Sequence, residues 1–250
     1  MNHARTLDGE LFHKPFGPGF LYNKLEDSTR IKLFNCIEGI RNSSRTKAGT
    51  IYHDPANLTD PSAPQEATIS NGEMKPIAQI DDKQHGDGII KKTLLDLIKR
   101  YARLWFDNSG FPDMDLSAGF KFALSSVWYV VMKEGDFHVV HSHQIEEIPP
   151  KRFTNLALLS GGVYLQCPEK PYPQGAIHWI QDVNDGNNFV EASKMAVQPK
   201  AGECYVWPSE VNHTVYPFRG PEERIMISFN GFWDRLPEHP TYSKAMSMEF

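Results

Sequence analysis

The 250-residue sequence predicts a mainly β fold, a jelly roll preceded by helices. Three observations lead there. Helix-period patterns occupy the part before residue 112; from residue 120 onward short β-rich runs follow one another, each bounded by Gly, Pro, Asn or Asp. The composition, 40% hydrophobic and 23% charged, is that of a soluble globular chain. Many short strands divided by turns close into a sandwich or barrel, because each strand must bury one face.

The elements follow in order. The first twenty residues, MNHARTLDGELFHKPFGPGF, contain no apolar stretch of the kind a secretory signal needs. No run of 18 apolar residues occurs anywhere, so no membrane span is expected and the expected location is cytoplasmic. A helix is expected from Thr29 to Arg41, capped by Asp27 or Ser28, with Ile31, Phe34, Ile37 and Ile40 on one stripe. Between residues 42 and 88 periodicity vanishes into a Ser-, Thr-, Asn-, Pro- and Gly-rich stretch, read as a flexible flap over a site. The run IIKKTLLDLIKRYARLWFD is a second helix, since Ile90, Leu94, Leu97, Ile98, Tyr101, Leu104 and Trp105 share one face; Asn108, Gly110 and Pro112 end it.

The β half begins with Phe120, Phe122, Leu124, Ser126, Trp128 and Val130, which alternate onto one expected face. FHVVH, NLALLSGGVYLQC, AIHWI, ECYVWP, HTVYPF and RIMISFNGF are further strands. Charge narrows the function. With 26 Lys and Arg against 31 Asp and Glu, the net charge of −5 disfavours a nucleic-acid partner. The three cysteines, Cys36, Cys167 and Cys204, are too few and too widely spaced for a disulfide framework or a zinc module, and Cys167 and Cys204 are read as buried hydrophobes on neighbouring strands.

Chemistry concentrates in the histidines. In a strand, residues two apart face the same way, so His141 and His143 can reach one metal ion. His213, held between a turn and a strand edge in WPSEVNHTVYPF, is the natural third ligand. Three ligands on one side of an ion leave the opposite positions open, as a catalytic site requires. The bland alternative is a pair of surface histidines on an edge strand. By the same period-2 rule His138 faces away from His141 and is structural, and His178 is a hydrogen-bonded strand residue. Trp128 and Trp207 are read as core or rim.

Eleven residues after His213, Arg224 opens the strand RIMISFN. Arg224, Met226, Ser228 and Asn230 share one face, with Ile225, Ile227 and Phe229 on the other. An inward Arg needs an anion, and a carboxylate held in bidentate fashion fits best. An outward Arg paired with Glu222 or Glu223 is the competing possibility.

GDFHVVHSHQ, SGGVYLQCPE and VQPKAGECYVWPSEVNHTVYPFRGPEERIMISFN together resemble the iron(II)/2-oxoglutarate-dependent oxygenases. The nearest branch is bacterial and phage-borne, with an H-x-H start and an E-R-I-x-I-x-F-N end; the likeness runs from about Trp128 to Trp233. The resemblance implies a double-stranded β-helix (jelly-roll, cupin-like) core and a ferrous ion, with 2-oxoglutarate and dioxygen as cosubstrates. It matches His141 to the first metal ligand, His213 to the distal one and Arg224 to the anchor of the cosubstrate's carboxylate. Tyr164 matches a position facing the cosubstrate, and Ser228 lies on the same wall as Arg224. The wider superfamily usually has Asp or Glu two residues after the first His, where this chain has His143. Three neutral imidazoles complete the site, or a nearby carboxylate, Glu146 or Glu147, takes the second place.

The implied reaction oxidises an unactivated C–H bond of a small molecule, with release of succinate and carbon dioxide; hydroxylation is the commonest outcome, and cyclisation or desaturation occur on the same scaffold. One oxygenase domain spans 1–250, with helical support and flap over 1–112, the jelly-roll core over 113–235 and a tail over 236–250. The segment 144–159 is expected to form a loop at the barrel mouth. The rival readings are a cupin-type three-histidine enzyme that makes no use of 2-oxoglutarate, and a jelly-roll binding module with incidental histidines.

Overall fold

A computed structural model describes residues 19–42, 88–111, 113–117, 120–143, 157–180 and 194–235, together with the backbone of short strands at 6–7, 10–13, 67–70, 73–76 and 78–79. In chain order the elements are β1 (Thr6–Leu7), β2 (Glu10–His13), β3 (Phe20–Lys24), α1 (Asp27–Asn42), β4 (Ala67–Ser70), β5 (Glu73–Pro76), β6 (Ala78–Gln79) and α2 (Ile89–Asn108). Then come β7 (Phe120–Met132), β8 (Phe137–His141), β9 (Ala157–Gln166), β10 (Ile177–Ile180), β11 (Lys194–Val197), β12 (Glu203–Pro208), β13 (Asn212–Val215) and β14 (Arg224–Arg235). An eight-stranded sheet runs β1-β2-β3-β12-β9-β14-β7-β6, and a six-stranded sheet runs β11-β10-β13-β8-β4-β5; every pairing is antiparallel. This is the expected jelly roll.

Alternation along the large sheet divides the core in two. Leu21, Val163, Cys204, Val206, Ile225, Ile227 and Phe229 point outward and pack with the helices. Phe20, Trp128, Val130, Met132, Tyr164, Tyr205, Trp207 and Met226 point inward, where they meet Ile177, Trp179 and Val215 from the small sheet. The outer layer is tight. A Cβ on Gly161 would fall 2.3 Å from Phe229 Cζ and 2.9 Å from the Tyr205 carbonyl, which is why SGGVYL needs a glycine there.

The two helices cover the outer face. In α2 the whole expected stripe but Trp105, which is half-buried, is buried, joined by Ala102 and Phe106. Its end is a Schellman turn: Gly110 takes φ +88, and the Phe111 N–H reaches the Phe106 carbonyl at 2.9 Å. α1 starts two residues earlier than expected, because the Glu26 carbonyl accepts the Thr29 and Arg30 N–H groups. Its buried face also differs. Leu33, Ile37 and Ile40 are buried and Phe34 packs beside them, whereas Ile31 is 46% exposed. Leu33, Ile37 and Ile40 keep the i, i+4, i+7 spacing, so the stripe is rotated rather than absent.

Two β-bulges correct the strand expectations. In β7, Ser126 faces Asn230 but Leu124 faces Gly231, leaving Ser125 as an extra residue. The faces therefore exchange at that point: Phe120, Phe122 and Leu124 pack outward with the helices, whereas Trp128 and Val130 point inward. In β8, His141 faces His213 while His138 faces Val215, so the two residues Val139 and Val140 oppose the single Thr214. Those two valines are 45% and 57% exposed.

The stretch 42–88 is not structureless throughout. β4 and β5 form a hairpin on β8, and β6 pairs with β7. Residues 43–66, most of the expected flap, lie outside the described residues, as do residues 144–156 and the tail 236–250. Strands β1–β3 and β6 carry the segment 1–112 into the large sheet, beyond the helical support expected of it. Among the described residues no helix is long and apolar enough to cross a membrane.

The α1 assignment makes a paired prediction. Ile37→Ala lowers the unfolding free energy by about 2–5 kcal/mol, as expected for a buried aliphatic truncation. Ile31→Ala stays within about 0.5 kcal/mol of the parent. Urea unfolding followed by circular dichroism measures both.

Candidate metal centre

Hydrogen bonding across the small sheet places the histidines. The β8–β13 ladder sets His141 opposite His213, and β10 sets Trp179 on the other side of His213. His143 lies just beyond β8, where its backbone N–H donates to the Ser209 carbonyl at 2.8 Å. The ring centroids of His141 and His213 are 4.3 Å apart, those of His143 and His213 5.0 Å, and those of His141 and His143 5.2 Å. One ligand atom from each of the three can be chosen so that all lie within 4.8 Å of one another, a group able to hold a metal ion.

The orientation of each ring is set from behind. Nδ1 of His141 meets the Val139 carbonyl at 2.7 Å, Nδ1 of His213 the Val211 carbonyl at 3.2 Å, and Nδ1 of His143 the Asn230 Oδ1 at 2.6 Å. All three partners are oxygens that only accept, so Nδ1 carries the proton and Nε2 keeps its lone pair. Nε2 of His141 and of His143 are buried nitrogens, and His213 is buried as a residue. Three neutral imidazoles presenting Nε2 suit a borderline first-row ion such as Fe(II). The reserve carboxylates Glu146 and Glu147 lie outside the described residues.

Aromatic rings wall the group. Trp207 stands edge-on to His213 with centroids 5.1 Å apart, and Trp128 lies 5.8 Å from His143. His138 is a correction: the β8 bulge turns it inward, buried, with its ring 6.0 Å from that of His141. Simple alternation missed it because one extra residue restores the facing. His178 behaves as expected of a strand residue, meeting the Tyr172 hydroxyl at 3.3 Å on the outer side. Cys204 and Cys167 separate, the first in the helix-side layer and the second against the inner layer. Burial pushes the Cys167 thiol up to about 11, so it is protonated at neutral pH.

On the large sheet the wall of β14 faces inward as expected. Arg224 is 2% exposed; its Nη1 donates to the Gly175 carbonyl at 2.9 Å and its guanidinium lies 4.8 Å from the centre of the Tyr164 ring. Burial pushes the Tyr164 phenol up to about 12, with Arg224 pulling the other way. Glu222 and Glu223 are engaged elsewhere: Glu222 pairs with Lys170 at 2.8 Å, and Glu223 with Arg41 at 3.0 Å and Lys133 at 3.5 Å. The outward-facing alternative for Arg224 therefore fails. No carboxylate among the described residues pairs with it.

Polar atoms that want a partner gather on this inner face. Arg224 Nε, the Tyr164 hydroxyl, Ser126 Oγ and the indole nitrogens of Trp179 and Trp207 are buried without a hydrogen bond among the described residues. Native proteins rarely leave such groups unsatisfied, so this face could receive a polar ligand. With no carboxylate among the described residues to pair with Arg224, an anion would be the matching one. Ser228 is buried on the same row, opposite Gly162 and Trp128.

Comparison with known proteins gives a family match to part of the chain and a likeness of fold. Residues 126–230 match a family model described as "Putative 2OG-Fe(II) oxygenase". No curated protein matches the sequence. Among solved structures, the chain is similar to the non-heme alpha ketoglutarate dependent carbocyclase SnoK from nogalamycin biosynthesis, at 11% identity and TM-score 0.53, covering 91% of this chain and 86% of that one. It is also similar to the epimerase SnoN from the same biosynthesis, at 13% identity and TM-score 0.50, covering 90% and 84%. A Pseudomonas putida prolyl-4-hydroxylase aligns at 17% identity and TM-score 0.47, covering 86% and 92%. The likeness to the first two is one of fold.

If the three histidines hold a metal, the ion stabilises the folded chain. Ni(II) at a hundredfold excess over its dissociation constant raises the unfolding free energy by about 2.7 kcal/mol. His213→Ala abolishes that gain, as thermal denaturation with and without the ion will show.

Proposed function

We propose that this chain, a member of the iron(II)- and 2-oxoglutarate-dependent oxygenase superfamily across residues 126–230, holds its ferrous ion on His141, His143 and His213, anchors its cosubstrate on Arg224, and oxidises a C–H bond of a small organic molecule. Enzymes of this superfamily use Fe(II), 2-oxoglutarate and dioxygen; when bound, these supply oxidative decarboxylation to succinate and carbon dioxide, coupled to oxidation of the substrate.

The chain's own residues have three tasks. Nε2 of His141, His143 and His213 would hold the ion from one side, leaving the other side for exchangeable ligands. Arg224 would receive the far carboxylate of 2-oxoglutarate, with its guanidinium already oriented by the Gly175 carbonyl and backed by the Tyr164 ring. The Tyr164 hydroxyl and Ser228 Oγ are the further polar groups on that wall able to bond the same carboxylate. Trp128, Trp179, Trp207 and Tyr205 line the interior with large rings, and burial among them strengthens the pairing of Arg224 with an anion.

The single observation that carries this reading is the buried guanidinium without a carboxylate partner among the described residues, on the strand whose Asn230 meets His143. A three-histidine enzyme indifferent to 2-oxoglutarate would leave that charge uncompensated, at a cost of several kcal/mol. The net charge of −5 supports a small-molecule substrate over a nucleic acid.

Anaerobic titration with Fe(II) and 2-oxoglutarate tests the assignment through the visible charge-transfer band of the chelate. The parent forms the band. Arg224→Ala weakens cosubstrate binding by about 2–5 kcal/mol, the cost of removing one partner from a buried charge pair, and excess 2-oxoglutarate restores the band. A parent that binds iron but never forms the band overturns the oxygenase reading in favour of the cupin-type rival.

A further inference from the structure

His143 is held differently from the other two histidines. His141 and His213 are each oriented by a carbonyl two residues earlier in their own segment. His143 lies past the end of β8 and is held from the opposite sheet. Its backbone N–H donates to the Ser209 carbonyl, and the Ser209 N–H donates in turn to the Leu158 carbonyl at 3.1 Å. Its Nδ1–H donates to Asn230 Oδ1, which also accepts the Ser160 hydroxyl at 2.8 Å. Ser160 and Asn230 are buried and sit directly opposite each other in the β9–β14 ladder.

We infer that Asn230 is a positioning residue for His143: its carboxamide oxygen, buttressed by Ser160, fixes the Nδ1–H tautomer of His143 and aims Nε2 at the ion. The geometry requires an acceptor at this point. A residue beyond the strand end has no ladder to fix its side chain, and an imidazole free to rotate or to move its proton to Nε2 presents a donor where a lone pair is needed. The chemistry also selects an amide. Asn230 orients the ring without adding charge, so the three-imidazole group stays neutral and the ion keeps its full charge toward anionic ligands. Asn230 lies six residues along β14 from Arg224, so one strand supplies both the cosubstrate's anchor and the support of a metal ligand.

The inference rests on the reading of His143 as a metal ligand, and the test separates the two. In metal-free protein labelled with ¹⁵N-histidine, the His143 Nδ1–H gives a slowly exchanging proton resonance, identified by its loss in His143→Ala. That resonance disappears in the near-isosteric Asn230→Leu, persists in Asn230→Asp, and exchanges faster in Ser160→Ala. Co(II) titration of the same variants follows the ion. Asn230→Leu binds about 10–100-fold more weakly, the usual effect of losing such a partner; Asn230→Asp binds at least as tightly as the parent, because a carboxylate acceptor raises the basicity of the ring.

Equal losses in Asn230→Leu and Asn230→Asp overturn the inference, since the acceptor oxygen kept in Asn230→Asp would then make no difference. So does a parental resonance and affinity in Asn230→Leu. Should Asn230→Leu not fold, Ser160→Ala and Asn230→Asp decide by the same resonance. If His143→Ala binds Co(II) as the parent does, the ligand assignment fails and the positioning of the ring is judged on the resonance alone.

Discussion

Unbroken alternation along β14 is the constraint on which the rest of the structure depends. Its outward row, Ile225, Ile227, Phe229 and Trp233, packs in the helix-side core. Its inward row, Arg224, Met226, Ser228 and Asn230, faces the space between the sheets, where Asn230 meets His143. Because β14 sits between β7 and β9, a slip of one residue would bury the polar row under the helices and expose the apolar row to the site. The helix-side core thus holds the inward row in register. Gly231 adds to this: a Cβ there would come within 2.8 Å of the Ala123 carbonyl and 2.4 Å of Ile98 Cδ1, so β7 and α2 both close on β14 at this point.

The site draws on both sheets. Two histidines come from the small sheet, and the third is held from the large sheet, which also provides the buried cation. Such an arrangement makes the spacing of the sheets a determinant of the metal group. That spacing is set by aromatic packing: Trp179 meets Tyr205 at 5.6 Å and Trp207 at 5.3 Å between ring centroids, and Phe20 lies edge-on to Trp179 at 5.4 Å. Rings of this size fill the interval, and the indole N–H groups of Trp179 and Trp207 are donors only, unable to ligate a metal ion.

Much of this was legible in the sequence, for identifiable reasons. The stripe of α2 and the alternation of RIMISFN are strong periodic signals, so the second helix and both faces of β14 could be read directly. The grouping of His141, His143 and His213 followed from an H-x-H and a third histidine at a rigid strand edge. The bulges were not legible, because an unpaired residue leaves no mark on composition; they reversed the facing of Phe120, Phe122 and Leu124 and brought His138 inside. β1 to β6 and β11 went unread, being two to five residues long, too short for a pattern to stand out in sequence. The role of Asn230 was hidden for another reason. Its place on the inward row was readable, but its partner, His143, lies 87 residues away on a segment outside the strand.

The β8 bulge changes what a length difference can do. Were either valine between His138 and His141 absent, the bulge would vanish without turning any histidine: His138 would stand two residues from His141, still opposite Val215 and still facing inward. Were both valines kept and paired in strict alternation, Val139 would take the place opposite Val215 and His138 would turn to the outer surface, changing the wall beside His141 from imidazole to aliphatic. In this fold the bulge therefore absorbs one extra exposed valine, and a single-residue length difference there leaves the polarity around the three histidines unchanged.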